Sequence, residues 1–80
     1  MNVENLKILA REYLADAVRQ IDDTTPLQTR ILNASFLIGK FYGVTEILAL
    51  VDLDAYCELG IETKSDRERV SAFTEQIWRI

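Results

Sequence analysis

From Ile31 to Val51 the chain reads "ILNASFLIGKFYGVTEILALV", a run in which only Lys40 and Glu46 carry charge. A stretch this long and this apolar has three available fates: a membrane span, the centre of a DNA-reading helix-turn-helix, or the middle of a helical core. The first is expected to fail. Asn33, Lys40, Thr45 and Glu46 interrupt the run, and a charge at mid-bilayer costs ~2.5–3.5 kcal/mol on insertion scales. The start of the chain does not resemble a signal peptide, because Glu4, Lys7, Arg11 and Glu12 break up its apolar residues. No membrane contact and a cytoplasmic location are therefore expected.

Periodicity divides the rest of the chain into helices. Val3, Leu6, Ala10, Tyr13, Leu14, Ala17 and Ile21 recur at spacings of three and four, which predicts a helix over residues 3–22 with Asn2 as its cap. Thr25, Pro26 and Gln28 then read as an N-cap, a first helical position and the far end of a capping box. They predict a second helix over 26–42, closed by Gly43. Thr45 opens a third over 46–59 that stops at Gly60, and the capping-box pattern Ser65 to Glu68 opens a fourth over 66–79. No alternation suggests a strand. The expected fold is an all-α, four-helix bundle-like single domain covering residues 1–80.

The helix-turn-helix reading rests on Gly39, Gly43, Val44 and Thr45 within residues 39–53. Its chemistry argues against it. No Lys or Arg lies between Lys40 and Lys64, whereas Glu46, Asp52, Asp54, Glu58 and Glu62 do, and such a helix repels phosphate. The side chains that read base edges are missing as well. Nucleic acid is not an expected partner, and the formal charge of -4 points instead to a protein with a basic surface.

A chain of 80 residues builds a thin core, yet 49% of this one is hydrophobic. Where the excess goes is the central question. In the third predicted helix, Ile47, Leu48, Ala49, Leu50 and Val51 are apolar all round, which suggests a central helix wrapped by the others. The second helix carries two apolar faces. Leu27, Ile31, Ala34, Ile38 and Phe41 form one, while Leu32 and Phe36 lie well round the helix with Ser35 and Gly39 beside them. A glycine inside a helix costs ~1 kcal/mol relative to alanine, so Gly39 suggests a close neighbouring backbone. Leu32, Ser35, Phe36 and Gly39 are the candidate self-association face of a homodimer, with burial within the chain as the competing reading.

Asp54 and Glu58 stand four apart, where like charges repel mildly, and Glu62 continues the acidic segment. With Tyr56 among them, and with Trp78 projecting off the Val70, Phe73, Ile77, Ile80 stripe, they are the candidate partner-binding residues. The bland alternatives are a solvated acidic face and a tryptophan that covers the core edge. Catalysis is not expected. The chain has no histidine, its single Cys57 is expected to be a small buried hydrophobe, its carboxylates lack metal-ligand spacing, and its glycines form no phosphate loop. No cofactor or metal is expected either.

Together these features describe a small acidic regulator or inhibitor that docks on a basic protein such as a transcription factor. In size and charge it is similar to small helical antirepressors and anti-activators encoded by phages and plasmids, although no motif assigns it to them. A DNA-binding regulator using residues 39–53 and a structural or assembly-chaperone subunit are the alternatives.

Overall fold

The computed structural model describes residues 2–79, except for the side chains of Trp78 and Arg79. Among the described residues the chain is all-helical. Three α-helices, α1 (Val3–Asp22), α2 (Leu27–Val51) and α3 (Leu53–Thr74), are followed by a 3-10 turn over Glu75–Arg79. They pack side by side into a rod of about 39 × 17 × 16 Å.

α1 forms as its sequence dictates. The Asn2 side chain accepts the backbone N–H groups of Glu4 at 2.8 Å and Asn5 at 3.4 Å, two of the donors that a helix start leaves without partners. Leu6, Ala10, Leu14 and Ala17 make its buried face. On its flanks Glu4 pairs with Lys7 and Asp16 with Arg19.

The turn into α2 differs from expectation. Pro26 is the N-cap and no side chain caps the helix, so the Thr25–Gln28 capping box does not form. Arg30 holds the turn instead. Its Nε donates to the Thr25 carbonyl at 2.8 Å, and its Nη1 donates to the Ile21 carbonyl at 2.8 Å and the Gln20 carbonyl at 3.3 Å. One guanidinium thus satisfies carbonyls at the end of α1 and complements that helix's negative pole. It also lies 5.8 Å from the Phe73 ring, tying the α1–α2 turn to the end of α3.

The largest correction concerns helix count. α2 passes straight through Gly39 and Gly43, and α3 through Gly60 and Ser65. Among the described residues none has positive φ, so neither Gly43 nor Gly60 takes the left-handed conformation of a C-cap. Packing explains why. Ile31, Ala34, Phe41, Thr45 and Leu48 form one continuous buried face along α2, and Ala55, Leu59, Thr63, Val70 and Phe73 do the same along α3. A break at either glycine would rotate half of that face away from α1, a larger loss than the ~1 kcal/mol of a helical glycine.

The actual break is at Asp52, whose extended backbone (φ -155°, ψ 96°) separates α2 from α3 by one residue. Its carboxylate accepts the Ala55 N–H at 3.1 Å and caps α3. The third predicted helix was therefore an overlay of two real ones. The expected central burial of Ile47–Val51 is also corrected: Leu48 is fully buried, but Ile47, Leu50 and Val51 face outward.

The core is thin and tightly spaced. Ala10, Ala17, Ala34 and Ala55 let the helices approach, and Phe41, Ile31, Leu48, Leu59 and Val70 fill the space between them. The two buried threonines bond to their own helices, Thr45 Oγ1 to the Tyr42 carbonyl at 3.0 Å and Thr63 Oγ1 to the Leu59 carbonyl at 2.7 Å. By length and composition α2 could cross a membrane, with a mean hydropathy of 1.5. In the fold it is one of three packed helices, its inner face on α1 and α3 and its outer face open.

Candidate protein-contact surfaces

The outer face of α2 is an exposed apolar surface that runs the length of the helix. At 100° per residue, Leu32, Phe36, Gly39, Gly43, Ile47 and Leu50 line up on the side opposite the buried Ala34, Phe41 and Thr45. Leu32 is 58% exposed, Phe36 64%, Ile47 38% and Leu50 89%. A Cβ placed on Gly39 or Gly43 would meet nothing within 4 Å, so the expected neighbouring backbone at Gly39 does not come from this chain. All four candidate self-association residues, Leu32, Ser35, Phe36 and Gly39, lie on this exposed side. Burial within the chain is therefore set aside.

Gly43, Ile47 and Leu50 were missed as members of the same stripe. Their signal was present in the spacing, which runs four, three, four, four, three from Leu32 to Leu50. It becomes legible only when Gly43 is read as helix interior. Lys40 does not interrupt the stripe. Its ammonium turns back over the Phe36 ring at 4.5 Å and toward the Tyr13 ring of α1 at 5.4 Å.

The acidic candidates do not form one patch. Glu62 is engaged with α1: Arg11 Nε and Nη2 donate to its two carboxylate oxygens at 2.8 and 2.9 Å in a bidentate pair. Those hydrogen bonds hold the Glu62 carboxyl below the usual carboxylate range, against the opposing effect of burial, and the charges of Arg11 and Lys7 add to the shift. The Arg11 guanidinium is raised by the same contact. Asp54 and Glu58 are exposed one turn apart on α3. Tyr56 lies two residues from each, about 200° round the helix, and so on the other flank.

There Tyr56 lines a groove of about 80 Å³ with Phe41, Tyr42, Thr45, Gly60 and Arg67. Arg67 is held along it by hydrogen bonds, donating to Thr63 Oγ1 at 3.1 Å and to the Gly60 carbonyl at 2.6 Å. The groove is well below the ~300 Å³ at which small-molecule pockets begin. Among the described residues, no three His, Cys, Asp or Glu side chains are grouped to hold a metal ion. The side chain of Trp78 and the whole of Ile80 lie outside the described residues.

Asp54 and Glu58 have neighbours that sequence reasoning overlooked. Leu53, Cys57 and Ile61 recur every four residues along the outer side of α3, with Leu53 63% and Ile61 80% exposed. Cys57 itself is exposed, which corrects its expected burial: it stands about 160° round α3 from the buried Leu59, on the side away from α1 and α2. α3 thus presents an apolar column bordered on one side by two carboxylates. The turn at Gly43 that a helix-turn-helix requires is absent, since residues 39–51 are uninterrupted helix. Compared with known family models, curated proteins and solved structures, the chain matches none.

Proposed function

We propose that this chain is a small acidic, cytoplasmic protein-binding regulator that associates with itself through the outer face of α2. It docks on a basic protein, such as a transcription factor or repressor, through the outer side of α3. The observation that carries the docking surface is the apolar column of Leu53, Cys57 and Ile61 with Asp54 and Glu58 along its edge. Apolar residues flanked by one sign of charge suit a partner element with an apolar stripe and a basic border. The apolar part supplies affinity, and the carboxylates supply orientation and encounter rate. Catalysis forms no part of this reading: the chain has no histidine to act as a base, and in the Tyr56 groove Arg67 is bonded to Thr63 Oγ1 and to the Gly60 carbonyl. DNA readout is likewise unsupported by residues 39–53, for want of a turn at Gly43 and of any Lys or Arg between Lys40 and Lys64.

The test is affinity capture from nuclease-treated source cells with wild type, Asp54→Lys/Glu58→Lys and Ile61→Ser as baits, followed by binding kinetics on the purified partner. We expect one stoichiometric partner that both variants lose, and an association rate that falls as salt rises. A partner retained equally by both variants, or one whose association ignores salt, would refute this docking surface. Salt-sensitive retention of duplex DNA by the isolated chain would favour the DNA-binding alternative.

A further inference from the structure

Resting on the reading of α2 as a self-association face, we infer that two copies pair antiparallel along α2, with the two-fold axis crossing the stripe between Gly39 and Gly43, level with residue 41. The inference comes from the order of side chains along the stripe. Bulky residues stand at both ends, Leu32 and Phe36 toward one and Ile47 and Leu50 toward the other, with Gly39 and Gly43 equidistant from Phe41 in the middle. A two-fold there sets Leu32 against Leu50 of the second copy and Gly39 against its Gly43. The two glycines leave the backbones free to approach, because nothing in the chain occupies the space before them.

The flanks decide the orientation. On the helix circle Phe36 and Ile47 lean to one side of the stripe, and Ser35 and Glu46 to the other. Antiparallel pairing keeps each flank on its own side, so Phe36 meets Ile47 of the second copy and the Ser35 hydroxyl meets the Glu46 carboxylate. Parallel pairing crosses the flanks and puts apolar Ile47 against Glu46, a carboxylate without a donor. Opposed helix dipoles favour the antiparallel arrangement too. Lys40 stands on the Phe36 flank, its ammonium 4.5 Å over the Phe36 ring and 5.4 Å from the Tyr13 ring, so its charge sits at the edge of the paired face and away from the glycines at the axis.

The area suffices. The exposed parts of Leu32, Phe36, Ile47 and Leu50 amount to roughly 450 Å² of apolar surface spread over about 27 Å of helix. A standard interface buries ~800 Å² per partner, somewhat more than half of it apolar. The stripe supplies about that apolar share, and its polar flanks supply the rest.

The experiment uses a Cys57→Ser background, which removes the native thiol, and two further variants, Leu32→Cys and Leu50→Cys, each checked for native helicity. Light scattering should give twice the 9.2 kDa chain mass, and Phe36→Asp should give the monomer mass. On mild oxidation, a mixture of Leu32→Cys and Leu50→Cys chains should form a disulfide-linked dimer, and neither variant alone should. The two sites of the mixture adjoin, whereas two copies of Leu32 lie about 27 Å apart along the paired axis. Self-linking by Leu32→Cys alone would overturn the antiparallel orientation and leave the dimer standing. A monomer at every concentration would overturn the dimer itself, and a monomer that floats with phosphatidylcholine vesicles would assign the stripe to lipid.

Discussion

Replacing Gly43 or Gly60 by alanine decides between three helices and four, because the two arrangements predict opposite signs there. In the observed fold Gly39, Gly43 and Gly60 have negative φ, lie inside helices, and would place a new Cβ in open space. Alanine should then stabilise the monomer by ~1 kcal/mol at each site, from helix propensity alone. If Gly43 and Gly60 instead capped helices in the left-handed conformation, alanine there would cost about 1–2 kcal/mol. The swing at each position is therefore ~2–3 kcal/mol, and in a domain of this size 1 kcal/mol moves the midpoint by ~4–8 °C. The assay is thermal unfolding followed by circular dichroism at concentrations where the chain is monomeric. We expect Gly60→Ala to raise Tm by ~4–8 °C, with Gly39→Ala and Gly43→Ala close behind. A fall in Tm for Gly60→Ala would refute the continuous α3. Gly60→Ala should leave association unchanged, whereas Gly39→Ala and Gly43→Ala should weaken it by holding the paired backbones apart.

Two further outcomes test the contacts between elements. Arg30→Ala removes the donor that serves three carbonyls at the α1–α2 turn. It should destabilise the domain by ~2 kcal/mol in urea titration, and Arg30→Lys should recover less than half of that, since an ammonium lacks the planar fork. The Arg11–Glu62 pair should give a small acid sensitivity. The folded state holds the Glu62 carboxyl below its unfolded value, so the pair's contribution is fully present above the ordinary carboxylate range and fades as pH falls through the lowered folded value. Both side chains are about half exposed, which limits the contribution to ~0.2–1 kcal/mol, and Glu62→Gln should remove it along with that part of the acid dependence.

How much of this fold the sequence discloses depends on whether a signal is local or collective. α1 is legible to the residue, because its cap, apolar period and charged flanks agree with one another over Asn2–Asp22. The α2 and α3 boundaries are misread because glycine and the serine capping box are local cues, and local cues carry only ~1 kcal/mol. Against them stands a buried face that continues across each cue, from Phe41 through Thr45 to Leu48 and from Leu59 through Thr63 to Val70. Tracing that face through Gly43 would also have exposed Asp52, two residues before Asp54, as the better cap. The same error hid half of the α2 stripe. Reading a helix end at Gly43 cut Ile47 and Leu50 away from Leu32 and Phe36, and made their apolarity look like the burial of a separate helix. The acidic segment failed for a different reason: composition records that Asp54, Glu58 and Glu62 share a sign, but only packing reveals that Arg11 of α1 already holds one of them. A continuous apolar face on a helix with two such faces is thus a better guide to its true length than the glycines inside it, and the face left without a neighbour marks where the next chain should be sought.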